Sequence, residues 1–167
     1  MVIWIIGLSG SGKTTLAEEV TTQARESGRK VVLLDGDRIR DFYGNDLGHD
    51  LTDRRTNADR ICQLCAFLDE QGIDVVCAIL SVFPESRSWC RENLSSYFEV
   101  FVDAPIEQLI ERDEKGIYGR YKRGEIREVA GLDLPFPRPK QADLIITNDG
   151  GRDLLLQYAP LLVKLFD

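Results

Sequence analysis

Val2-Ile3-Trp4-Ile5-Ile6-Gly7-Leu8-Ser9-Gly10-Ser11-Gly12-Lys13-Thr14-Thr15 is the stretch from which the rest of the chain can be read. Its first five residues are apolar without a break, the pattern of a strand buried on both faces of a sheet. Gly7 to Thr14 fills every fixed position of G-x-x-x-x-G-K-[ST]. Thr15-Leu16-Ala17-Glu18-Glu19-Val20 then continues a helical pattern whose first turn begins at Lys13. Strand, glycine-rich loop and helix in that order are the context in which this pattern cradles phosphates. Glycine lets backbone N–H groups turn inward around phosphate oxygens where a side chain would block them. The helix N-terminus adds partial positive charge at the same point. Gly7 through Thr15 is therefore expected to hold a nucleoside triphosphate, ATP in the simplest case. Lys13 would reach the β- and γ-phosphates, and the Thr14 hydroxyl would hold Mg²⁺.

Outward from this stretch, apolar runs alternate with helical patterns. Strands are expected at Lys30–Leu34, ending at Asp35, and at Ile73–Leu80, Tyr97–Val102 and Leu144–Thr147. Between them a helix is expected from about Thr52 to Gln71, stopped by Gly72, and another from Pro105 to about Arg112. A last helix falls within Asp153–Phe166. Strands alternating with helices predict an α/β fold of the phosphate-loop NTPase type, a parallel sheet flanked by helices on both faces. No repeat or linker divides the 167 residues, so a single domain is expected over 1–167. Asp113 to Pro139 breaks the alternation. It carries Gly116, Gly119, Gly124 and Gly131, then Pro135, Pro137 and Pro139, among several lysines and arginines. Such a segment suits a lid over the γ-phosphate.

The composition is that of a soluble globular protein, 43% hydrophobic and 29% charged. No apolar run is long enough for a membrane span or a signal-peptide core. A formal charge of −7 argues against binding nucleic-acid polymers. Arginines nevertheless crowd the segments 38–60 and 112–127, which suits a small anionic ligand. Cys62 and Cys65 form C-x-x-C, but in the middle of an expected helix, and Cys77 falls in an expected strand. Buried thiols are the expectation, rather than a zinc site, in a reducing cytoplasm. A homodimer is left open.

Several kinds of enzyme use a phosphate loop. Thr147-Asn148-Asp149-Gly150 lacks the lysine and spacing of the N-K-x-D run of guanine-specific switches. The third strand ends Ala78-Ile79-Leu80-Ser81, without the carboxylate that motor ATPases place there. The acids follow the second strand instead, as Asp35-Gly36-Asp37. In a parallel sheet that end faces the same crevice as the phosphate loop. Asp35 can serve Mg²⁺ beside Thr14, and Asp37 can accept the proton of an acceptor hydroxyl. These features favour a small-molecule kinase.

At this level of detail the chain resembles the adenylylsulfate kinases, which phosphorylate the 3′-hydroxyl of adenosine 5′-phosphosulfate in sulfate assimilation. Gly7–Thr15 resembles the family's G-L-S-G-S-G-K-[ST]-T, and Leu34-Asp35-Gly36-Asp37-Arg38-Ile39-Arg40 its L-D-G-D-N-[IV]-R. Asn45-Asp46-Leu47-Gly48, Asp53-Arg54 and Asn57 are similar to N-x-D-L-G-F, D-R and the asparagine after it. Arg112 to Tyr118 resembles R-D-x-K-G-L-Y, followed by Gly124-Glu125-Ile126, and Gly131 to Phe136 resembles G-I-D-x-P-Y. The resemblance implies Asp37 as the acid that orients or deprotonates the acceptor hydroxyl. It implies Arg40, Arg54, Asn57 and Lys115 around the acceptor's anionic and polar groups. Ser81 matches a serine after the third strand, for which capping or packing is the simpler role.

Three departures concern the acceptor. The family's two adenine-stacking aromatics are replaced by His49 and Val129, and Ser81-Val82-Phe83-Pro84 stands in place of Ser-Pro-Tyr-Arg. The phosphate loop also begins at Gly7, earlier than in typical members. An alternative acceptor follows, another 5′-activated nucleotide such as the cytidine 5′-diphosphoramidate of capsule assembly. A non-catalytic ATP-binding regulator is the third reading, which the intact Asp37 disfavours.

Overall fold

A computed structural model describes all residues, 1–167. Its centre is a five-stranded sheet in which every neighbouring pair is parallel, in the order β2-β3-β1-β4-β5. The strands are β1 (Val2–Ile6), β2 (Val31–Asp35), β3 (Asp74–Ile79), β4 (Tyr97–Asp103) and β5 (Leu144–Thr147). All five residues of β1 are buried, because it is the middle strand and helices cover both faces. Its alternation divides the core. Ile3 and Ile5 join α1 (Lys13–Glu26) and the C-terminal helices on one side. Val2, Trp4 and Ile6 join α3 (Leu51–Glu70) and α4 (Pro84–Asn93) on the other.

The parallel alignment puts the carboxyl ends of β1, β2 and β3 on one edge, which positions the site. Cys62, Cys65, Cys77 and Cys90 are all buried free thiols. No helix is long and apolar enough to cross a membrane.

The structure corrects the expected elements in three places. Two helices not expected from the sequence are present: α2 (Gly36–Phe42), directly after β2, and α4, four residues after β3. Asp35 caps α2, its Oδ1 accepting from the Asp37 and Arg38 amides at 2.9 and 3.3 Å, so the acid run is a helix start. The expected C-terminal helix is broken into α7 (Arg152–Leu156), α8 (Ala159–Val163) and a 3₁₀ turn at Lys164–Phe166. Pro160 lacks the amide needed to continue α7.

The third correction concerns 113–139, which is more ordered than its glycines predict. After α5 (Ile106–Arg112) it contains α6 (Ile117–Lys122). The Asp113 carboxylate accepts from the Tyr118 and Gly119 amides at 2.9 and 2.7 Å and so starts α6. Asp133 does the same for the next turn, accepting from the Glu128 and Val129 amides at 2.9 and 2.8 Å.

Candidate active site

The phosphate loop is shaped by what surrounds it. Gly12 adopts φ 97°, a left-handed conformation that favours glycine, and a Cβ there would lie 2.5 Å from the Leu155 side chain. A Cβ on Gly7 would lie 2.7 Å from the Val102 carbonyl. The loop's outer strut comes from the residue just after β5: Asn148 Nδ2 donates to the Ser11 carbonyl at 2.8 Å, and its backbone amide donates to Asp103 O at 2.7 Å. Tyr118 Oη donates to the Ser9 carbonyl at 2.9 Å, joining α6 to the loop. Gly7, Leu8, Gly10, Ser11, Gly12 and Thr15 form the loop and the start of α1. Ser9, Lys13 and Thr14 face a cavity of about 440 Å³ at the carboxyl edge of the sheet.

Asp35, Asp37, Arg40, His49, Arg54, Asn57, Ser81, Lys115 and Val129 line the same cavity. Segments far apart in the chain thus converge on one cleft. Thr14 Oγ1 lies 2.8 Å from Asp35 Oδ2. Two hard oxygens at the phosphate-loop end suit Mg²⁺, which takes few protein ligands and keeps water and phosphate oxygens for the rest. Lys13 Nζ donates to the Leu8 carbonyl at 3.2 Å. Loss of hydration at the cleft floor, then repulsion from Lys115, pushes Lys13 down to about 8, against the pull of Asp37 and Asp35. An anionic ligand would reverse that shift.

Lys115 reaches across from 113–139 to Asp37, Nζ to Oδ2 at 2.7 Å. Both side chains are about half exposed, so ligand or water can replace the contact at little cost. Burial works to raise Asp37, but the Lys115 hydrogen bond and charge outweigh it, with Lys13 and His49 adding, and hold its carboxyl below the usual range. Asp37 is therefore an ionised acceptor at neutral pH.

The acceptor side is framed by arginines that grip the backbone. Arg40, buried, donates to Gly48 O at 2.6 Å. Arg54 donates from Nε to His49 O at 2.6 Å and from Nη2 to Glu128 O at 3.1 Å. Each keeps other guanidinium N–H groups for a ligand. Burial, then Arg40 and Arg54, lowers His49, which is neutral at physiological pH. Asn57 is buried; Nδ2 holds Gly36 O at 3.3 Å, while Oδ1 has no partner. Ser81 is buried with φ 54°, receives the Trp4 indole N–H on Oγ at 3.4 Å, and has its carbonyl held by Arg87 at 2.8 Å. That is a packing role.

Val129 departs from the simple expectation of a bare aliphatic wall for a base. It is buried in a small cluster with Ala104, Leu109 and Tyr118, so much of its side chain serves the packing of 113–139. Sequence reading passed over several residues. Arg120, Arg127 and Phe83 line the cavity, and Arg55 lies 3.8 Å over the Phe83 ring. Asn148 and Tyr118 brace the loop. Only the basic clustering at 112–127 signalled any of these in advance.

The family model for adenylylsulphate kinase matches residues 1–147, most of the chain. The chain belongs to that family. It is 41% identical over 149 residues to an adenylyl-sulfate kinase of Paraburkholderia xenovorans, covering 89% of this chain and 83% of the relative. It is 34% identical over 166 residues to a cytidine diphosphoramidate kinase of Campylobacter jejuni, covering 98% and 94%. Among solved structures it superposes on the Mycobacterium tuberculosis APS kinase in complex with AMPPNP and APS with a TM-score of 0.88 at 34% identity, covering 98% of this chain and 95% of that one. The chain is thus a phosphate-loop kinase, and the parallel α/β architecture expected from its first strand and loop is the one observed.

Proposed function

We propose that this protein transfers the γ-phosphoryl group of ATP to the 3′-hydroxyl of adenosine 5′-phosphosulfate. The observation that carries the reading is the meeting of Lys13 and Asp37 across one cleft that also holds Arg40, Arg54 and Asn57. Phosphoryl transfer passes through a loose transition state, so catalysis consists of alignment and charge stabilisation. Lys13 and the loop amides would hold the donor phosphates. Thr14 and Asp35 would hold Mg²⁺, which neutralises charge on the phosphate oxygens. Asp37, ionised and released from Lys115, accepts the hydrogen bond of the acceptor hydroxyl and points its oxygen lone pair at the γ-phosphorus. Its depressed pKa makes it an orienting group first. As the 3′-oxygen bonds to the γ-phosphorus, the bond from that phosphorus to the β–γ bridging oxygen breaks, ADP leaves, and the hydroxyl proton passes to Asp37 and on to water. Asn57 Oδ1, buried without a donor, suits a hydroxyl or amine of the acceptor.

The second reading, a 5′-activated cytidine nucleotide as acceptor, is favoured by one feature: neither His49 nor Val129 offers the large ring that an adenine clamp uses. The near end-to-end likeness to the cytidine diphosphoramidate kinase supports weighing it. ATP consumption, with product masses, across adenosine 5′-phosphosulfate and cytidine 5′-diphosphoramidate tests both. A 3′-phosphorylated adenosine product at the higher kcat/KM is expected. A clear preference for the cytidine compound would overturn the first reading and leave the 3′-hydroxyl kinase mechanism standing.

A further inference from the structure

We infer that Arg127, together with Arg120, forms a second anion receptor on 113–139 that reads the outermost charged group of the acceptor, the one beyond the phosphate attached to its ribose. This rests on the proposed 3′-hydroxyl kinase activity and adds residues and a division of labour to it.

The argument starts from how the cavity's cations are engaged. Lys13 lies on the phosphate loop and Lys115 is paired with Asp37. Arg40 and Arg54 already grip the carbonyls of Gly48, His49 and Glu128. Elsewhere, Arg25, Arg29, Arg38, Arg60 and Arg91 all have acceptors at 3.1 Å or less. Arg120 reaches only Glu125, at 3.7 Å, and that carboxylate is taken at 2.5 Å by Arg123. Arg127 lines the cavity from an exposed position and makes no hydrogen bond or ion pair, although its charge is felt by the Asp133 carboxylate. The cavity carries two carboxylates, Asp35 and Asp37, against six cationic side chains. Arg120 is close enough to add to the field that keeps His49 neutral. Unneutralised guanidinium groups facing a shared cavity repel one another, and a charged ligand group relieves that repulsion.

Guanidinium is suited to the task because its planar fork matches sulfate, phosphate and phosphoramidate oxygens. The two sets of cations also belong to different parts of the molecule. Arg40 and Arg54 stand on α2 and α3, beside the reacting end. Arg120 lies in the last turn of α6, and Arg127 lies one residue before the left-handed Glu128, whose carbonyl Arg54 holds. A nucleotide with both a ribose-proximal phosphate and an outer anionic group would bridge the two sets. A nucleoside monophosphate would engage the body alone.

The test is substrate truncation crossed with mutation. Dissociation constants are measured by calorimetry, with AMPPNP and Mg²⁺ present, for adenosine 5′-phosphosulfate and AMP, and for cytidine 5′-diphosphoramidate and CMP. Wild type is compared with Arg127→Gln, Arg120→Gln and Arg127→Lys. We expect Arg127→Gln to weaken the preferred activated nucleotide roughly 10–100-fold, as for a lost charge-assisted hydrogen bond, and the matching monophosphate less than about threefold. Arg127→Lys, which keeps charge and loses the fork, should fall between. Equal losses on both nucleotides, or no loss on either, would overturn the inference. Failure of the proposed function would show separately, as wild-type protein that turns over neither activated nucleotide.

Discussion

Lys13 sits where water is scarce and a polyphosphate is expected, and its free-state pKa of about 8 makes the coupling between proton and ligand measurable. Folding lowers this ammonium from its ordinary value of 10.5, and bound phosphates are expected to restore it. Below pH 8 Lys13 is charged with or without ligand. Between about 8 and the restored value, binding must take up a proton, so nucleotide affinity falls as pH rises through 8. Calorimetry at pH 8.5 in buffers of different ionisation enthalpy should detect that uptake, and Lys13→Ala should abolish it. The same variant should lose more than about 100-fold in kcat, since one transition-state charge contact is worth roughly 2.7–4 kcal/mol. Asp37→Asn keeps the shape and loses the charge that orients the hydroxyl. A fall in kcat on the order of 10²–10⁴-fold with an unchanged Kd for AMPPNP is expected; single-turnover transfer at wild-type speed would remove Asp37 from the mechanism.

At the scale of elements, the two positions proposed to flank the acceptor base differ in their freedom. His49 is an exposed loop residue on the cavity rim, whereas Val129 is buried among Leu109, Tyr118 and Ala104. The two substitutions that would rebuild an aromatic pair therefore have different consequences. His49→Phe adds stacking area, and if adenine is the base it should raise kcat/KM on adenosine 5′-phosphosulfate about fivefold or more, as stacking is worth roughly 1–3 kcal/mol. Val129→Phe overpacks the 113–139 segment and should cost about 1–3 kcal/mol in urea-denaturation midpoint analysis, whatever the acceptor. The segment is tied to the body by the Lys115–Asp37, Tyr118–Ser9 and Arg54–Glu128 contacts and by apolar packing of Tyr118 and Val129 with Ala104 and Leu109, and of Ala130 and Leu134 with Val82. Limited proteolysis should cut between about Gly116 and Arg127 in free protein and be suppressed by AMPPNP with acceptor. Equal cleavage in both states would show that 113–139 does not close as a lid.

Over the whole molecule, the cleft is bounded by the sheet edge, α2, α3 and 113–139 together, so ligands filling it would add contacts that bridge those parts. AMPPNP and acceptor at 100 times their dissociation constants should each add about 2.7 kcal/mol. For a domain of this size that corresponds to a rise in Tm on the order of 5–10 °C per ligand. The two together should exceed the sum of each alone if they share the closed form. Strict additivity in a thermal-shift titration would argue that the segment does not couple them.

How much of this was legible in the residues depended on whether a signal was local. The strand–loop–helix at Val2–Val20, the long α3 and the apolar β3 are written in short-range patterns, because burial on two faces, phosphate cradling and helical periodicity each need particular residue types at fixed spacing. The same holds for the family motifs around Asp37, Arg54 and Lys115. Among the shorter helices, α5 is legible from Pro105 at its start, whereas α2, α4 and α6 are not, for the converse reason. The six residues of α6 include Gly119 and have weak propensity of their own, and Asp113 starts the helix only because the chain turns there. Long-range contacts decided the rest. Val129 lines the cavity as its place in the motif implies, and only the fold shows that it also packs with Tyr118 and Leu109. Arg54 lines the same cavity while also holding the carbonyls of His49, five residues away, and Glu128, 74 residues away. By itself the sequence determined the parallel sheet, the phosphate loop and the kinase chemistry, which depend on neighbours along the chain. Only the tertiary structure decided which cations face the cavity unpaired, because a guanidinium's partners are set by chains that meet in space.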